Sequence, residues 1–599
     1  MTITVEDISW NRVFLEVRYC ATAGERLQLY RLRSQRFVGF IEDRETVEGG
    51  ELVQARVNIV ETGNREPFDD GEWLFCERID HEPITLEWAQ EHMPWMVDLV
   101  KHRVWSSLPN RVRRRAAKQD ITWHDYPIDM DKVAERIGEH PYNTHNIAYA
   151  PELLGRLGDL SRVFRYVNGK YSCAASILPR TDRTEYTNLV LAIDYYVKNK
   201  NPRIRRFSLR FLEKQVFAAF HAVVHALMPH RGNRVLFLKE NGDEPTDNMA
   251  AIRDRMIERG LDKDFVIDER YRNTFGLFQN PFAWMRDIVD IARADYIFID
   301  DYCPVFNFIN PGNDTVLTQV WHAGVGFKSV GYARFGISGS PDPYQSAHRR
   351  YNYALIGNEH LRQIYSEVFG IEEEALLATG MPRLDHFLDE GHAVEARADL
   401  LARYPWMDEG RVVVFAPTFR GAGQRTAHYP YEEYFDMKAL YEMCCDTNTY
   451  FVFEMHHFID ELPDIPKKYR DRIFDLSEEN LNQLFFVADV LVTDYSSCFY
   501  DFLLLKKPVV FYVPDKVVYE ATRGVQRTVD EMAPGVVCDT FADFMDVLTT
   551  NAYEATEPDV SMIDRCLEGS GLATDRAIDT ILLGKDVPGV RMAKQQVNS

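Results

Sequence analysis

The sequence lacks the features that mark a secreted, zinc-stabilised or membrane-spanning protein. Its nine cysteines form no CxxC pair and are odd in number, which favours reduced thiols over disulfides or a zinc site. No run reaches about 18 apolar residues, so no membrane-spanning helix is predicted. The start, MTITVEDISWNRVFLEV, has no basic residues before an apolar run, so no signal peptide is predicted.

Positive charge is also scarce. Lys and Arg number 69 against 92 Asp and Glu, which gives a formal net charge of −23. Because nucleic-acid binding depends on neutralising phosphates with Lys and Arg, this balance argues against a nucleic-acid partner. An anionic small substrate would need a pocket that is locally basic. The 599 residues are 46% hydrophobic and 13% aromatic, which indicates a folded chain of several domains.

Residues 1–200 are predicted to form a β-rich accessory region. The stretches ISWNRVFLEVRY, RLQLYRL, RFVGFIE and LVQARVNIV alternate apolar and polar residues between turn-forming residues. A second β-like stretch covers residues 161–198, and a mixed segment containing RVRRR lies between the two. The pattern favours a small antiparallel sandwich or barrel.

Short apolar strands alternate with amphipathic helices from residue 201 onwards. RVLFLKEN, FVIDE, YALIGN, VVVFAPT and PVVFYVP are typical of parallel strands joined by crossover helices. The region is too long for one doubly wound sheet. We therefore predict an α/β fold with a GT-B-like pair of Rossmann-type domains, residues 201–385 and 386–599. Ligands would bind at the carboxyl ends of the strands.

The segment QVWHAGVGFKSVG is a candidate for proton transfer. His322 could take a proton from an attacking hydroxyl, and Lys328 offers positive charge to a phosphate. The alternative is a structural histidine beside a packed tryptophan.

A second histidine segment, FEMHHFI, follows an apolar strand. His456 and His457 are adjacent, and neighbouring residues of a strand point to opposite faces, so one of them would face a cleft. No carboxylate or thiol follows at metal-ligand spacing, so no metal site is predicted.

The segment LVTDYSS suits a phosphate. A strand ends there, and Ser496 and Ser497 are predicted at a helix N-terminus, where free N–H groups favour an anion. Asp494 would orient the loop or bind a sugar hydroxyl. The alternative is ordinary N-capping by serine. Arginines suited to phosphate recognition stand in three further segments, TGMPRLDHF, FAPTFRG and YEATRG: Arg383, Arg420 and Arg523.

The order of these motifs resembles the CDP-glycerol glycerophosphotransferases, the polymerases and primases of teichoic acids and related capsules. The resemblance runs from about Arg234 to about Val525. WHAGVGFKSVG is similar to the family's Trp-His-Gly motif with a following Lys, TGMPRLD to Thr-Gly-x-Pro-Arg-x-Asp, FAPTFR to Ala-Pro-Thr-[Trp/Phe]-Arg, and MHH to its Met-His strand end. The TDYSS block is the most specific match.

The resemblance implies transfer of a polyol phosphate, with glycerol phosphate the first choice, from CDP-glycerol to the terminal hydroxyl of a teichoic-acid-like or capsular polymer or a lipid-linked acceptor, with release of CMP. It makes His322 the catalytic base and His456 the second histidine of the site. The donor-binding residues predicted with it are Lys328, Arg383, Arg420, Thr493, Asp494, Ser496, Ser497 and Arg523.

Two positions depart from the family pattern. Ala323 stands where many members have Gly, and the His-Ala-x-Gly form is similar to members that transfer ribitol phosphate, so CDP-ribitol is the alternative donor. Glu454 stands where members often have a basic residue. Two further hypotheses for the function are a GT-B nucleotide-sugar glycosyltransferase and a non-catalytic adaptor that binds envelope polymer.

The basic stretches at residues 111–118 and 203–211 suggest contact with an anionic membrane surface. Such an enzyme would be cytoplasmic and peripheral on the inner face of the cell membrane. The pair Asp300-Asp301 is interpreted as loop acids and not as a metal site, and assistance by Mg²⁺ is left open.

Overall fold

The computed structural model describes most of the chain, and the fold is given for these residues only. They are residues 3–31, 36–62, 65–78, 85–92, 94–138, 142–143, 147–166, 171–181, 187–197, 209–228, 232–240, 242–272, 281–322, 330–334, 341–342, 346–421, 426–456, 458–459, 461–522, 524–525, 527–555, 572–587 and 590. The chain forms two compact units, residues 1–200 with 342–344 and residues 201–341 with 345–599.

The first unit is built mainly from antiparallel strands, as predicted. Its strands are β1 (Ile3–Asn11), β2 (Phe14–Ala21), β3 (Arg26–Arg31), β4 (Arg36–Gly39), β5 (Ile41–Val47), β6 (Gly50–Asn58), β7 (Gly71–Arg78), β8 (Tyr142–Asn143), β9 (Ile147–Tyr149), β10 (Ser161–Tyr166), β11 (Tyr171–Thr181) and β12 (Thr187–Val197). One sheet has the order β5-β6-β2-β1-β9, and the other has the order β10-β11-β12-β7-β3-β4, with β8 beside β7. Leu15, Val17 and Tyr19 of β2 are buried on alternate positions, which is the pattern that predicted a strand.

Short helices interrupt the strands of the first unit where the sequence showed only a mixed segment. They are α1 (Leu86–His92), α2 (Pro94–Ser107), α3 (Asn110–Ala117), α4 (Met130–Gly138) and α5 (Pro151–Gly155). Helices α1, α2 and α4 share a small apolar core that includes Val97, Val100, Val133 and Ile137. The RVRRR run lies in α3.

The second unit begins with a sheet of parallel strands. They are β13 (Arg234–Lys239), β14 (Val266–Tyr271), β15 (Tyr296–Ile299), β16 (Val316–Gln319), β17 (Tyr353–Leu355) and β18 (Leu376–Leu377), in the order β14-β13-β15-β16-β17-β18. The helices of this half are α6 (Leu209–Leu227), α7 (Asp247–Glu258), α8 (Pro281–Arg293) and α9 (Arg362–Phe369). Helix α7 ends before Gly260, which has a φ of +71°.

A second parallel sheet follows. Its strands are β19 (Arg411–Phe415), β20 (Thr449–Phe453), β21 (Ile473–Asp475), β22 (Val490–Thr493), β23 (Val509–Tyr512) and β24 (Val536–Cys538), in the order β21-β20-β19-β22-β23-β24. Its helices are α10 (Glu390–Arg403), α11 (Tyr431–Tyr434), α12 (Met437–Asp446), α13 (Leu481–Val487), α14 (Cys498–Leu503), α15 (Lys516–Thr522), α16 (Val529–Met532) and α17 (Phe541–Thr550). The predicted GT-B-like pair of sheets is confirmed.

The central strand of the second sheet is apolar throughout because both of its faces are covered. Val412 and Val414 of β19 belong to one apolar cluster, and Val413 and Phe415 belong to another. Successive side chains of a strand point to opposite faces, so an unbroken apolar run is required where helices pack on both sides.

The last described helix, α18 (Ala573–Ile581), packs against the first parallel sheet. Ala577, Ile578 and Ile581 lie in the same apolar cluster as Val235 and Phe237 of β13.

This packing corrects the predicted division, which assigned the whole of residues 386–599 to the second Rossmann-type domain. Arg255 of α7 also binds the Asp575 carboxylate of α18, with 2.7 Å between Nη2 and Oδ2. Sequence periodicity identifies an amphipathic helix, but it does not show which of two similar apolar sheets the helix covers.

Candidate active site

His322 lies at the carboxyl edge of the first parallel sheet, just after β16. Its Nδ1 is 3.3 Å from the carbonyl oxygen of Asp300, which follows β15. When Nδ1–H donates to that carbonyl, the neutral ring keeps its lone pair on Nε2. In that tautomer, Nε2 of His322 could accept a proton.

An ion pair joins the His322 loop to helix α14 of the second sheet. The Arg383 guanidinium makes two bonds to the Asp501 carboxylate, one of them 2.8 Å between Nη2 and Oδ1. Nη2 also lies 3.3 Å from the carbonyl oxygen of His322. Asp501 lies one turn into α14, and Ser497 is the N-cap residue of that helix. The predicted base and the predicted phosphate loop therefore meet through Arg383.

The TDYSS loop has two buried residues at its start and two partly exposed serines at its end. Thr493 is fully buried, and its hydroxyl donates to the Ala416 carbonyl at 2.7 Å. Asp494 is also fully buried, whereas Ser496 and Ser497 are half-buried at the start of α14. Of these four predicted donor contacts, the two serines are the ones placed where a ligand could reach them.

Arg420 lies beneath this loop in a cage of carboxylates. Its Nη1 is 2.8 Å from Oδ2 of Asp494, and its Nε is 2.6 Å from Oδ2 of Asp515. Asp494 also accepts the backbone N–H groups of Thr418, at 2.7 Å, and of Tyr495, at 2.6 Å. Asp494 thus orients the loop, which is one of the two roles predicted for it.

Aromatic rings complete the cage. The Arg420 guanidinium carbon is 4.9 Å from the ring centroid of Tyr519, 5.2 Å from that of Tyr429 and 5.5 Å from that of Tyr495. Tyr495 and Tyr519 stack with parallel rings 3.7 Å apart. Because a buried Arg is bound here on several sides, its role in the structure is to shape the loop.

His456 follows β20 and belongs to the same edge of the second sheet. Its Nδ1 accepts the backbone N–H of Phe458 at 3.2 Å, so in the neutral ring the proton is on Nε2. Its ring centroid is 4.9 Å from that of Phe419, the residue before Arg420. His456 is therefore linked to the TDYSS loop through Phe419 and the neighbouring Arg420, which binds Asp494.

Lys328, His457 and Arg523 lie outside the described residues, and their predicted roles stay predictions. Among the residues that the structure describes, no three His, Cys, Asp or Glu side chains are grouped so as to hold a metal ion.

The residues that sequence reasoning missed are the acidic partners of the arginines. Asp501 stands in the apolar run CFYDFLLL and is 3% exposed. A carboxylate in such a run predicts a buried cationic partner, so this signal was available. Asp515 follows the apolar strand β23 in the same way.

Glu454, where the family pattern has a basic residue, lies at the end of β20. Burial, together with the nearby Asp475 carboxylate, raises the pKa of Glu454 from 4.5 to about 8. Between these two values the folded chain keeps a proton that the unfolded chain releases, so rising pH reduces the stability of the fold across this window.

We expect Glu454→Gln, which is neutral at every pH, to raise the unfolding temperature more at pH 8 than at pH 5.5. Thermal unfolding followed by circular dichroism checks this, with the exposed Glu432→Gln as the control for a lost surface carboxylate. An equal change in unfolding temperature at both pH values would contradict the raised pKa.

Comparison with known proteins bears on what this site does. The model of the family described as CDP-glycerol:poly(glycerophosphate) glycerophosphotransferase matches residues 220–581. The chain is 31% identical over 382 residues to the teichoic acid poly(ribitol-phosphate) polymerase of Bacillus spizizenii, covering 63% of this chain and 61% of that protein. It is 31% identical over 370 residues to the teichoic acid ribitol-phosphate polymerase TarL of Staphylococcus aureus, covering 60% and 64%.

Similarity to proteins named for glycerol phosphate is lower. The chain is 28% identical over 269 residues to the teichoic acid glycerol-phosphate primase of Bacillus subtilis, covering 43% of this chain and 66% of that protein. A solved structure of the wall teichoic acid polymerase TagF is 17% identical and covers 63% of this chain and 98% of that one, with a TM-score of 0.47. The family match over residues 220–581 confirms the resemblance that the motifs predicted, and the chain belongs to the CDP-glycerol:poly(glycerophosphate) glycerophosphotransferase family.

Proposed function

We propose that this chain transfers a polyol phosphate from a CDP-polyol to the terminal hydroxyl of a polyol-phosphate polymer and releases CMP. The observation that carries the proposal is the Arg383–Asp501 ion pair, which holds the His322 loop against the helix that begins after Ser497. A proton acceptor and an anion-binding loop are the two parts that such a transfer needs.

In the proposed reaction, the oxygen of the acceptor hydroxyl attacks the β-phosphorus of the donor, which carries the polyol. A new P–O bond forms while the bond from that phosphorus to the bridging oxygen breaks, and CMP leaves with the bridging oxygen. Nε2 of His322 takes the hydroxyl proton, because Nδ1 is bound to the Asp300 carbonyl. The product is a phosphodiester that extends the polymer.

The second sheet supplies the groups that offset negative charge. His456 has its proton on Nε2, since Nδ1 accepts a backbone N–H, and this proton can bind a phosphate oxygen of the donor. The hydroxyls of Ser496 and Ser497 stand at the start of α14, where the helix dipole favours an anion. Arg420 offsets the charge of Asp494 beneath the loop, so the carboxylate repels the donor less.

For the polyol, the relatives favour ribitol over the glycerol phosphate that the motifs put first. The two polymerases at 31% identity are named for ribitol phosphate, and the glycerol-phosphate primase reaches 28% over a shorter stretch. The alignments span less than two thirds of the two polymerases. We therefore propose CDP-ribitol as the preferred donor and CDP-glycerol as the second candidate.

The donor preference and the role of His322 as the base are tested in one assay. It measures the CMP released from CDP-ribitol, CDP-glycerol and a UDP-sugar, with a polyol-phosphate acceptor. We expect the highest turnover with CDP-ribitol. His322→Ala should reduce CMP release by about 10²–10³-fold or more in a folded protein. The exposed His360→Ala is the matched control. Near-normal turnover by the His322 variant would reject its role, and turnover of the UDP-sugar alone would indicate a glycosyltransferase.

A membrane contact is proposed from a second surface of the same unit. No helix among the described residues is both long and apolar enough to cross a bilayer. Helices α6 and α8 nevertheless present large apolar side chains to solvent. They are Val216 (58% exposed), Val223 (56%) and Leu227 (78%) on α6, and Phe282 (81%) and Met285 (40%) on α8. An exposed apolar face suits an anionic membrane surface, and the sequence carries basic residues at 203–211, of which 203–208 lie outside the described residues.

We expect the triple variant Val216→Ser, Val223→Ser, Leu227→Ser to float less with vesicles that contain phosphatidylglycerol, because its apolar face no longer enters the lipid. Flotation on a density gradient measures the bound fraction. Val394→Ser, which changes an apolar residue 70% exposed on α10, is the control. Equal flotation of the triple variant and the unmodified protein would contradict the proposed membrane contact.

A further inference from the structure

The residue before His322 has an unusual backbone conformation. Trp321 has a φ of +52°, in the left-handed region that glycine favours and bulky side chains rarely adopt. Its indole is 6% exposed and packs edge-on against Phe369, with ring centroids 5.3 Å apart. Such a conformation persists only where the surrounding structure holds it.

Two buried carboxamides hold the backbone of Trp321. Oε1 of Gln319 accepts the Trp321 N–H at 2.9 Å, and Nδ2 of Asn248 donates to the Trp321 carbonyl oxygen at 2.5 Å. Both amide side chains are buried, at 0% and 1% exposure. The two polar backbone groups of the strained residue are therefore bound from opposite directions.

Gln319 also binds the segment that contacts the His322 ring. Its Nε2 donates to the Asp301 carbonyl and to the Tyr351 hydroxyl, each at 3.2 Å. Asp301 directly follows Asp300, whose carbonyl oxygen accepts from His322 Nδ1. The Gln319 side chain thus sets the spacing between Trp321 and the Asp300 carbonyl, which accepts from the His322 ring.

Asn248 links Trp321 to Arg383. Its Oδ1 accepts the backbone N–H of Arg383 at 2.9 Å, while its Nδ2 binds Trp321. The Arg383 guanidinium in turn donates to the carbonyl oxygen of His322. A carboxamide offers an acceptor and donors at once, whereas an ionised carboxylate or an apolar side chain of the same size could not make both links.

We propose that Gln319 and Asn248 are positioning residues that hold Trp321 in its left-handed conformation and thereby aim the His322 imidazole. The inference rests on the proposed function of His322 as a base. It adds that the base is fixed by two amides from different elements, the end of β16 and the start of α7. Neither amide touches the reacting atoms.

The test uses the full chain with Asn248→Leu and Gln319→Leu, each compared with Asn352→Leu. Asn352 accepts the Leu317 N–H at 2.8 Å and has no bond to the strained residue, so it controls for the loss of an amide at a strand end. We expect kcat for CMP release to fall about 10²-fold in the first two variants, because a small displacement of the base is costly. The KM for the donor should change by less than about threefold, since binding groups are untouched.

A second readout does not depend on turnover. Nitrogen NMR of labelled histidine, with His322 assigned by its loss in His322→Gln, should show the Nδ1–H tautomer in the unmodified protein and a mixture of tautomers in the amide variants. If the unmodified protein releases no CMP from either CDP-polyol, the proposed function fails, and the tautomer still tests the positioning role. Should the leucine variants not fold, Asn248→Asp and Gln319→Glu remove the same donors at nearly constant shape.

Glycine at position 321 provides the decisive comparison, because glycine adopts a positive φ without support. We expect Trp321→Gly to lower kcat because its packing is lost, and adding Asn248→Leu to it should lower kcat no more than about threefold further, a clear departure from additivity. The proposal is overturned if folded amide variants keep kcat and the tautomer. It is also overturned if the Asn248 change costs as much in the glycine background as alone.

Discussion

The buried ion pair between Arg383 and Asp501 is the interaction on which the rest of the candidate site depends. Its side chains are 10% and 5% exposed, and they come from segments attached to different sheets. Removing one partner of such a pair leaves an uncompensated charge and typically costs about 3–5 kcal/mol. The pair therefore fixes where His322 lies relative to α14, and with it the distance between the proposed base and the proposed phosphate loop.

Buried ion pairs are also found beneath the TDYSS loop. Arg420 is bound by Asp494 and Asp515 and covered by tyrosine rings, so the described arginines of the site, Arg383 and Arg420, serve the protein's own carboxylates. A chain with a net charge of −23 thereby uses buried cations to shape the TDYSS loop, the proposed anion-binding loop. We propose that the donor is contacted instead by serine hydroxyls, backbone N–H groups and the two histidines.

Much of this arrangement was predictable, because parallel strands bring their carboxyl ends to one edge. The residues after β16, β20 and β22 could be assigned to the carboxyl edges of their sheets from the apolar runs that precede them. The partners of Arg383 and Arg420 could not be assigned, since the sequence does not show whether an arginine meets a ligand or a carboxylate 118 or 95 residues away. The packing of α18 on the first sheet and the strain at Trp321 were also invisible, because both arise from tertiary contacts.

The proposed site is tested most directly by a structure of the protein with a non-hydrolysable CDP-ribitol bound. We predict that the β-phosphate lies within hydrogen-bond reach of the Ser496 and Ser497 region, with Nε2 of His322 facing the side from which an acceptor hydroxyl would attack. A diphosphate bound on a surface that neither the TDYSS loop nor His322 reaches would contradict it.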